Sequence, residues 1–566
     1  MPSWEEAVLA RKILFAFCLL SWSATAAEAA TYYIVPTGSD SGSGSSSAPW
    51  ATFGKAWGTL QPGDTLILKD GTYTQALKPT VSGTAGGPII IRAEHDGQAI
   101  LDGQSNHSGI SIDSRQYLTI EGLLSLNPGE SPALTIQAPD GNFTATHDIV
   151  VRRTGARGGV NLGNNGAAIE VARVTNVLLE DVWAYGFGRY ALGIYGSQHV
   201  TVRRAVIRWD RWDGTNYKPC DPKFNMGVYD THDSTFENLL LLDGGTASCG
   251  DHGALYVPGN DNGNTAPYTD SDNNRFLGMI MLNNSGVGVN VEGGSGGTND
   301  NNQFANIVSW GNSSAGLDAA HSAKNTLFEH ATVGKNAYGS YFGDSSNNVS
   351  GTVCRNNAFV SNAGLGLRNS DCAGDYNIAS GNNPNYAAAP AAHDLSSDPG
   401  IKYVTRIEAG TAGKATASDG SDRGATVMDR YQDGVLTSSK LWPWPNEARI
   451  LQDMCNSAFL STVGRTGANA PPWCSSGKSL TQYIWEAAGN PIPSDIYGGG
   501  GTQPPGSACD LNQDSATNIS DVQLAVNQAI GTAACTADLN KDGACNVIDV
   551  QRVVNAALGG TCVSSP

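Results

Sequence analysis

Short alternating runs of apolar and polar residues dominate the middle of the chain. The segments "NVLLEDVWAYG" from 176, "HVTVRRAVIRW" from 199, "NQFANIVSWGN" from 302 and "NTLFEHATVGK" from 325 share one form. In each of them an Asn or His is followed by apolar residues at similar offsets. The apolar runs are short and are bounded by Gly, Asn or Asp, a pattern that favours β-strands over helices.

The pattern recurs at a regular interval. Its starts at 176 and 199, at 302 and 325, and at 325 and 348 are each 23 residues apart. A fixed period in the twenties indicates stacked repeats, whereas a β-propeller blade needs roughly 40 to 50 residues. Short strands that each pair with the equivalent strand one turn on predict a right-handed parallel β-helix over residues 30–432.

The segment before the repeats carries a recognisable opening. It reads "TYYIVPTGSDSGSGSSSAPWATFGKAWGTLQPGDTLILKDGTY" over 31–73 and "GGPIIIRAEHDGQAILDGQ" over 86–104. This opening resembles that of the pectin-lyase-like superfamily of β-helix proteins, and the resemblance extends over about residues 31–405. It implies the fold of a secreted polysaccharide-active protein. It leaves the reaction open, because lyases, hydrolases, epimerases and proteins without known activity share it.

Two consecutive repeats are longer than the others. The pattern starts at 199, 234 and 274 are 35 and 40 residues apart. Insertions in a solenoid emerge as loops on one face, which is often the binding face. We expect Trp209 and Trp212 in the first insertion to be exposed and to stack on sugar rings, with packing inside the loop as the alternative. Cys220 and Cys249 would tie the two inserted regions together.

One strand of each repeat can be aligned in register, from "AIEVA" at 168 to "GLDAAHS" at 316. If its aliphatic residues point inward, the alternate positions point outward and stack about 4.8 Å apart. Asn ladders are also common inside β-helices as pure structure, so an Asn at such a position says little alone. The outward positions predict a groove for a polysaccharide, lined by Glu170, Tyr195, Tyr229, Tyr256, Asn290, Glu292 and Asp318.

The two long repeats also hold the densest set of titratable groups, in "YDTHD" (229–233) and "GDHGALYV" (250–257). Hydrolysis of a glycosidic bond requires two carboxyl groups. Elimination from a uronic acid instead requires a base, and a cation that neutralises the sugar carboxylate. The candidate catalytic residues are Asp230, His232, Asp251, His252 and the nearby Lys223.

The sequence departs from the enzyme families that it resembles. The double aspartate and Arg-x-Lys elements of polygalacturonase-like enzymes do not occur in matching positions, and the Lys and Arg motifs of chondroitinase-like and alginate lyases are missing. We interpret His321 and Lys324 as turn residues. We therefore expect a polysaccharide lyase or a glycoside hydrolase, with a non-catalytic glycan-binding surface or adhesion protein as the alternative.

A helical pattern replaces the strands over residues 433–497. We expect a helix with its N-cap at Asn446 and a shorter one over 479–489. Because solenoids need covered ends, this annex is predicted to cap the end of the barrel, stapled by Cys455 and Cys474. Trp442 and Trp444 could alternatively form a sugar platform. The following segment, "GGGGTQPPGS" (498–507), has the composition of a flexible linker.

An acidic dodecamer occurs twice near the C-terminus, as "DLNQDSATNISD" (510–521) and, 28 residues later, as "DLNKDGACNVID" (538–549). A 12-residue calcium loop supplies oxygen ligands from positions 1, 3, 5, 7, 9 and 12. Both copies offer oxygen at every one of these positions, and each then runs into a predicted helix. The predicted Ca²⁺ ligands are Asp510, Asn512, Asp514, the Ala516 carbonyl, Asn518 and Asp521 in loop one, and Asp538, Asn540, Asp542, the Ala544 carbonyl, Asn546 and Asp549 in loop two.

Two such calcium-loop and helix units resemble the dockerin module. The resemblance implies a docking domain over residues 508–566 whose partner is a cohesin-like scaffold protein. Ser515 stands where loop two has Gly543, so we expect the first site to be weaker, because a non-Gly residue in a left-handed conformation costs energy. The residue pairs 519–520 and 547–548 differ from the hydroxyl pairs of well-known dockerins, which leaves the partner open. Cys509 and Cys562 could clasp the module, with Cys535 and Cys545 pairing inside it.

Composition and the N-terminus narrow the class of protein. A formal charge of -18 argues against nucleic acid and anionic membranes as partners. Residues 1–29 have the basic start, the short apolar run and the small residues of an export signal, with a buried N-terminal helix as the alternative. The run is too short to span a bilayer. An even number of cysteines after residue 29 suggests disulfides, and we expect a secreted or cell-surface monomer.

Overall fold

The computed structural model of the protein describes residues 29–159, 166–212, 220–247, 249–259, 270–293, 299–321, 323–343, 349–496, 508–511, 517, 519–531, 535–557 and 562–564. Within these ranges the chain is mainly β-structure, with helices confined to one short N-terminal segment, the annex and the tail. The predicted linker and all of the predicted export signal except Ala29 lie outside the described residues.

Three long parallel sheets run along the molecule, and the chain visits them in turn, which is consistent with the predicted right-handed β-helix. Sheet 1 consists of Thr31–Ile34, Thr65–Leu68, Ile89–Ala93, Gln116–Glu121, His147–Arg152, Thr175–Glu180, Gln198–Arg203, Thr235–Glu237, Arg275–Leu277, Gln303–Ala305, Leu327–Glu329 and Val353–Arg355. Sheet 2 consists of Gly71–Tyr73, Ala99–Asp102, Leu124–Leu126, Gly155–Gly158, Trp183–Phe187, Val206–Arg211, Leu240–Leu242, Ile280–Leu282, Val308–Trp310, Thr332–Gly334, Ala358–Val360 and Ile378–Ser380.

Sheet 3 is shorter and bears most of the outward positions singled out above. Two minor pairs accompany the three sheets, Asn299–Asp300 with Ala323–Lys324, and the antiparallel hairpin Asp429–Gln432 with Val435–Lys440. Sheet 3 consists of Ile110–Asp113, Leu134–Gln137, Ala167–Ala172, Tyr190–Tyr195, Lys223–Tyr229, His252–Pro258, Val287–Glu292, Ala315–Ala320 and Tyr338–Phe342.

Stacked identical side chains hold successive coils in register. Inside the barrel, the rings of Phe236 and Phe276 lie 4.7 Å apart, and those of Phe276 and Phe304 lie 4.5 Å apart. An asparagine ladder follows the corner between sheets 2 and 3, where each side-chain amide donates to the next at 2.8–3.1 Å. Buried amides need such partners, so the ladder satisfies the polar corner of each coil. Its members are Asn284, Asn312, Asn336, Asn362 and Asn382.

The coils are less regular than the predicted 23-residue period. Thr175 pairs with Gln198, as that spacing requires, but Gln303 pairs with Leu327 and Leu327 with Val353, which gives steps of 24 and 26 residues. The start read at 348 is therefore out of register. Loop residues between the strands absorb the extra length, so counting from one Asn to the next does not find equivalent positions.

The N-terminal end of the barrel is covered by helix α1 (Phe53–Trp57). Thr52 caps it, since its hydroxyl accepts from the N–H of Lys55 at 3.2 Å. Phe53, Ala56 and Trp57 are buried and belong to the barrel core. At the other end the last sheet strand stops at Ser380, well before residue 432, and the ring of Tyr386 packs against the core.

The annex contains helices α2 (Glu447–Met454), α3 (Ser457–Thr462), α4 (Pro472–Ser476) and α5 (Leu480–Trp485), with 3₁₀ turns at Gly467–Asn469 and Glu486–Ala488. Asn446 is the N-cap of α2 as predicted, although its side chain makes no capping hydrogen bond. The prediction that the annex caps the barrel end is wrong. Its apolar residues pack on the outer face of sheet 2, in one cluster with Trp183, Val206, Leu240, Ile280 and Val308.

Five disulfides occur within the described residues, and four of them join the cysteines named as pairs above. They are Cys220–Cys249, Cys354–Cys372, Cys455–Cys474, Cys509–Cys562 and Cys535–Cys545. The first joins the two long coils, the third lies within the annex, and the last two lie in the tail.

The tail contains helices α6 (Ile519–Ala529) and α7 (Val547–Ala557). They share a small core formed by Cys509, Ala525, Leu539 and Val553. Among the residues that the structure describes, none of the helices combines the length and apolar character needed to cross a bilayer.

Candidate functional site

The outer face of sheet 3 brings the predicted groove residues together in two columns. In the first column Tyr256 pairs with Asn290 and Asn290 with Asp318, and the same register position belongs to Glu170. In the second column Tyr195 pairs with Tyr229, and Glu292 lies further along. The alternate residues face the core, for example Ile169 and Val171. The strand alignment therefore identified the side-chain direction correctly.

Aromatic rings form a cluster on this face. Tyr195 stacks on Tyr229 with centroids 5.3 Å apart, and Phe224 stacks on Tyr256 at 4.8 Å. Tyr190 and Tyr229 meet edge to face at 5.8 Å. Tyr256 and Tyr229 point outward as predicted, but their neighbours bury them. These two tyrosines therefore form part of the groove floor and offer little open ring surface for stacking.

Arg189 places a positively charged side chain among these rings. Its Nη2 donates to the Tyr229 hydroxyl at 3.2 Å, its Nε donates to the Pro222 carbonyl at 2.8 Å, and its guanidinium lies over the Tyr190 ring. The Tyr190 and Tyr229 hydroxyls hydrogen-bond to each other. Burial raises the pKa of Tyr190 to about 12, and it raises the pKa of Tyr229 well above its usual value. Both phenols are therefore protonated near neutral pH and act as hydrogen-bond donors.

Lys223 lies at the edge of sheet 3 where its strands begin. Its Nζ donates to the carbonyls of Asp221 at 2.9 Å and Cys249 at 3.0 Å. Burial lowers the pKa of the amine and Arg189 lowers it further, against the opposing charges of Asp221 and Asp251. A lysine with a lowered pKa has a larger neutral fraction, which is what a general base needs.

Asp251 and His252 belong to the same edge. The N–H of Lys223 donates to the Asp251 carbonyl at 2.8 Å, and Lys223 pairs with His252 in the sheet. His252 is half-buried, and its Nδ1 lies 2.9 Å from the Gly250 carbonyl. We call Arg189, Asp221, Lys223, Asp251 and His252 the edge cluster.

Asp230 and His232 lie at the other end of the same strand. Asp230 follows Tyr229 in a left-handed turn with φ 47°, and His232 bridges to Gln198 where sheet 1 begins. Six residue steps separate Lys223 from Tyr229, which is about 20 Å along a strand. The five candidate catalytic residues therefore do not form one site. The prediction grouped these residues because they are close in sequence, but the two ends of an extended strand lie far apart in the structure.

Two acids line the middle of the face. Burial raises the pKa of Glu170, although Arg173 opposes the shift. Glu292 accepts a hydrogen bond from the Tyr256 hydroxyl, and its other oxygen lies 3.8 Å from His321 Nε2. His321 does lie in a turn, as predicted, but its ring reaches toward this face.

The tryptophans were expected at the surface, and this expectation is wrong. Trp209 is 1% exposed, and its indole N–H donates to the Gly188 carbonyl at 2.7 Å. Trp212 is 6% exposed and carries the Lys223 amine over its ring at 5.1 Å. Trp442 and Trp444 are buried between the annex and sheet 2, so they form no sugar platform. Large apolar rings beside charges look like binding residues in a sequence, but here they fill gaps between layers.

Sequence reasoning missed several residues of this face. Tyr190 and Phe224 occupy one outward column, because Ala167 pairs with Tyr190 and Tyr190 with Phe224. Strict alternation would not have found them, because it gives positions 190 and 224 the inward direction of Leu192 and Met226. Tyr341 pairs with Asp318 on the next coil and is 43% exposed. Continuing the alignment by one coil would have found it.

Residues 538–549, the predicted calcium loop two, contain a closed turn. Gly543 has φ 89°, which only glycine adopts readily. The Asp538 carboxylate accepts the N–H groups of Asp542 at 3.1 Å and Gly543 at 3.0 Å. Asp549 is buried and accepts the N–H of Leu539 at 2.8 Å. All the predicted ligand atoms of this loop are oxygens, the donor type that Ca²⁺ takes.

The predicted calcium loop one repeats part of this arrangement in its described residues. The N–H of Leu511 donates to Asp521 at 2.8 Å, as the N–H of Leu539 does to Asp549 in loop two. Asp510 and Asp521 are both buried. The other predicted ligands of this loop, Asn512, Asp514, Ala516 and Asn518, lie outside the described residues.

Within the described ranges, three ligating side chains with atoms within 4.8 Å of one another occur at Asp70, Glu94 and His95. All three are exposed, and His95 Nδ1 lies 3.0 Å from Asp70 Oδ1. The three carboxylates of loop two do not converge in this way, because they accept the loop's own N–H groups.

Comparison with known proteins supports the resemblance of the N-terminal coils. Residues 32–187 match the family model described as "Pel9A-like, right handed beta helix region", which supports the pectin-lyase-like superfamily. The match ends before the two long coils. Apart from Glu170, all the residues of the candidate site lie beyond it.

Curated relatives match only short segments. An uncharacterised protein of Bacillus subtilis (strain 168) is 30% identical over 114 residues, which cover 18% of this chain and 24% of that protein. Pectate lyase PEL9 of Emericella nidulans is 37% identical over 78 residues, 13% of this chain and 19% of its own. Pectate lyase L of Dickeya dadantii is 37% identical over 79 residues, 12% of this chain and 19% of its own. The chain thus matches a quarter or less of the length of each relative.

Solved structures of similar architecture include pectate lyase Pel9A and a rhamnogalacturonan lyase. The first is 16% identical with a TM-score of 0.39 and covers 69% of this chain and 92% of its own. The second is 15% identical with a TM-score of 0.38 and covers 74% of this chain and 97% of its own. Similarity at this level says nothing about the chemistry of the site.

Proposed function

We propose that the protein is an extracellular polysaccharide lyase that binds an acidic polysaccharide along the outer face of sheet 3. The single observation that carries the proposal is the edge cluster, where a buried lysine with a lowered pKa lies beside Arg189 at the rim of an outward-facing aromatic and acidic row. The sequence relatives named as pectate lyases, and the pairing of a base with a cation, favour elimination over hydrolysis.

The proposed step is β-elimination at a uronic acid unit. The neutral amine of Lys223 takes the proton at C5, and the electrons of that C–H bond form the C4=C5 double bond. The C4–O bond breaks, and the leaving oxygen takes up a proton from water. Arg189 pairs with the sugar carboxylate, which stabilises the negative charge that builds up as the C5 proton leaves.

A panel of polysaccharides tests the reaction. The full chain is incubated with pectate, alginate, glycosaminoglycans and neutral galactans, and both ultraviolet absorbance of unsaturated products and new reducing ends are measured. We expect absorbance to rise with reducing ends on at least one acidic polymer and on no neutral one. Reducing ends without absorbance would establish a glycoside hydrolase instead.

A non-catalytic glycan-binding protein is the second candidate. One observation favours it: several groups of the row satisfy one another, since Tyr256 donates to Glu292 and Tyr190 bonds to Tyr229. In this case an acidic polymer would bind to the full chain while neither product signal appears.

We also propose that residues 508–566 form a calcium-dependent dockerin-like module that docks on a cohesin-like scaffold protein. The matching hydrogen bonds of Leu511 and Leu539, the Gly543 turn and the all-oxygen donor set of loop two support this assignment. The paired disulfides, together with the export-signal pattern, support secretion, and we expect the protein to act as a monomer.

Hydrogen exchange on the full chain tests the module. Because ligand groups must be gathered on folding, Ca²⁺ should slow exchange in α7 and chelator should restore it. Replacing Asp538 with Ala should abolish this response, whereas Asp510→Ala, the matched change in loop one, should have the smaller effect. Equal exchange with and without Ca²⁺ in the wild type would contradict the calcium-dependent module.

A further inference from the structure

A cleft of about 620 Å³ lies between the annex and the corner where sheet 2 passes into sheet 3. Its floor comes from three successive coils, and its wall comes from residues 463–472 of the annex. Sites for small ligands typically measure roughly 300–1,000 Å³. The polar lining includes Asp210, Arg211, Lys223, Asp243, Asn283 and Arg465.

The acidic groups of the cleft are held in place from behind. Arg208 is fully buried, and its Nε donates to Asp210 Oδ1 at 2.7 Å while its Nη2 donates to the Met454 carbonyl at 2.5 Å. Asp243 accepts the N–H of Trp473 at 2.8 Å and the Tyr483 hydroxyl at 2.7 Å. Arg208 therefore fixes the Asp210 carboxylate and annex donors fix the Asp243 carboxylate, so both acids are satisfied within the protein and hold the cleft in a preorganised shape.

The lining mixes three basic side chains, two carboxylates, two amides and one hydroxyl. In a chain of formal charge -18 this local surplus of basic groups favours an anionic ligand. The Thr246 hydroxyl and the side-chain amides of Asn283 and Asn469 can donate to and accept from sugar hydroxyls. A ligand that carries one carboxylate and several hydroxyls matches both features.

We propose that this cleft binds one uronic acid unit, with its carboxylate toward Arg211 and its hydroxyls toward Thr246, Asn283 and Asn469. The choice of a sugar ligand rests on the proposed function. The cleft is a different surface from the row on sheet 3, and Lys223 at the strand edge borders it. The proposal gives the annex a part in ligand binding, which the resemblance of the β-helix to known families does not imply.

Calorimetric titration of the full chain tests the proposal. The probes are D-galacturonate and D-glucuronate as free monosaccharides, D-galactose as the neutral counterpart, and acetate as the carboxylate alone. We expect roughly millimolar binding of at least one uronate, as is usual for a ligand of this size. Galactose and acetate should bind at least about fivefold more weakly, because each lacks one of the two recognised features.

Two variants act from opposite walls. Arg211→Gln removes one charge and should weaken uronate binding roughly tenfold. Ala468→Trp fills the cleft from an exposed annex position and should abolish it, whereas Ala389→Trp, at an exposed alanine outside the cleft, should not. Uronate binding unchanged in both cleft variants overturns the proposal, and so does acetate binding equal to that of uronate.

Cleavage of acidic polymers, measured in parallel, separates this proposal from the proposed function. Uronate binding that depends on Arg211 in a protein that cleaves no polymer supports the cleft and contradicts the lyase. Polymer cleavage by a protein that binds neither uronate contradicts the cleft and supports the lyase.

Discussion

The outer faces of sheets 2 and 3 are built on the same coils but end in different surroundings. Sheet 2 presents apolar residues such as Trp183, Leu240 and Ile280, and the annex covers them. Sheet 3 presents acids, amides and tyrosines, and no such layer of helices appears over it among the described residues. Exposed apolar surface is costly in water, so residue type on an outward strand position shows which face needs a cover and which one is left for a ligand.

Breaking the cover of sheet 2 should have the largest effect. Trp485 is fully buried between the annex and the barrel. Trp485→Ala should lower the free energy of unfolding of the annex by about 3–5 kcal/mol, as for other large-to-small core changes. Denaturant unfolding monitored by tryptophan fluorescence measures it.

The matched control lies on sheet 3. Tyr338 is 49% exposed, so Tyr338→Ala should change stability by less than about 0.5 kcal/mol. Equal losses in the two variants would show that the faces do not differ as described.

Mild acid should strengthen the annex contact. Burial raises the pKa of Asp243 from the usual aspartate range to about 6, against the hydrogen bonds from Trp473 and Tyr483. The folded protein thus holds a proton that the unfolded chain releases at lower pH. The contribution to stability is present below about pH 4 and is lost as pH rises to about 6, by roughly 3 kcal/mol.

The measurement is the free energy of unfolding from pH 4 to 7 in the wild type and in Asp243→Asn, which cannot titrate. The difference between the two should change over this range. Asp233→Asn, at an exposed aspartate of the same coil, serves as control and should give a constant difference. A constant difference for Asp243→Asn as well would show that Asp243 does not cause the pH dependence of stability.

On the open face the largest expected effect is catalytic. Lys223→Ala should lower turnover by roughly 100-fold if the amine is the base, while Lys78→Ala, at an exposed lysine, should not. Because the base must be neutral and burial lowers its pKa, the wild-type rate should rise with pH below the range where an ordinary lysine titrates. Product absorbance across a pH series checks both statements. A flat pH profile with normal turnover in Lys223→Ala would place the chemistry elsewhere.

The smallest expected effect concerns the end of the row. Tyr341 is exposed beside Asp318 and carries the Arg368 guanidinium over its ring at 5.2 Å. Tyr341→Ala should weaken polymer binding by roughly 1 kcal/mol, about fivefold, through loss of an aromatic contact. Affinity electrophoresis in polysaccharide gels measures it. Val435→Ala, at an exposed apolar residue on the hairpin, should leave binding intact; an equal loss there would indicate a nonspecific effect.

Much of the fold was readable in the sequence, because strand alternation and local repetition are local signals. The inward and outward faces around Glu170, Tyr256 and Asp318 followed from period two alone. The position of the annex did not, since it depends on contacts between residues far apart, such as Trp183 with Asp453 at 2.9 Å. The residue pattern of neither the barrel strand nor the annex helix predicts that contact.

The candidate site was predicted less well for a related reason. Residue type alone did not show that Trp209 is buried and forms no exposed sugar platform. It also did not show that the candidate catalytic residues lie at opposite ends of the strand Lys223–Tyr229. Arg189 carried no signal, because a single basic residue before a strand is common. The predicted calcium loops present a different case and stay a prediction, since all the ligands proposed for each loop fall within twelve consecutive residues.

The asparagine ladder has a practical consequence for engineering. Its steps span 28, 24, 26 and 20 residues, yet the amide contact stays at 2.8–3.1 Å throughout. The extra chain is accommodated largely where strands ending at Glu292, Ala320 and Phe342 cross to the next sheet 1 strand. These crossings are therefore suitable insertion points for grafted peptides or affinity tags. The inserted segment can vary in length because the side-chain amides on either side of the crossing keep their spacing.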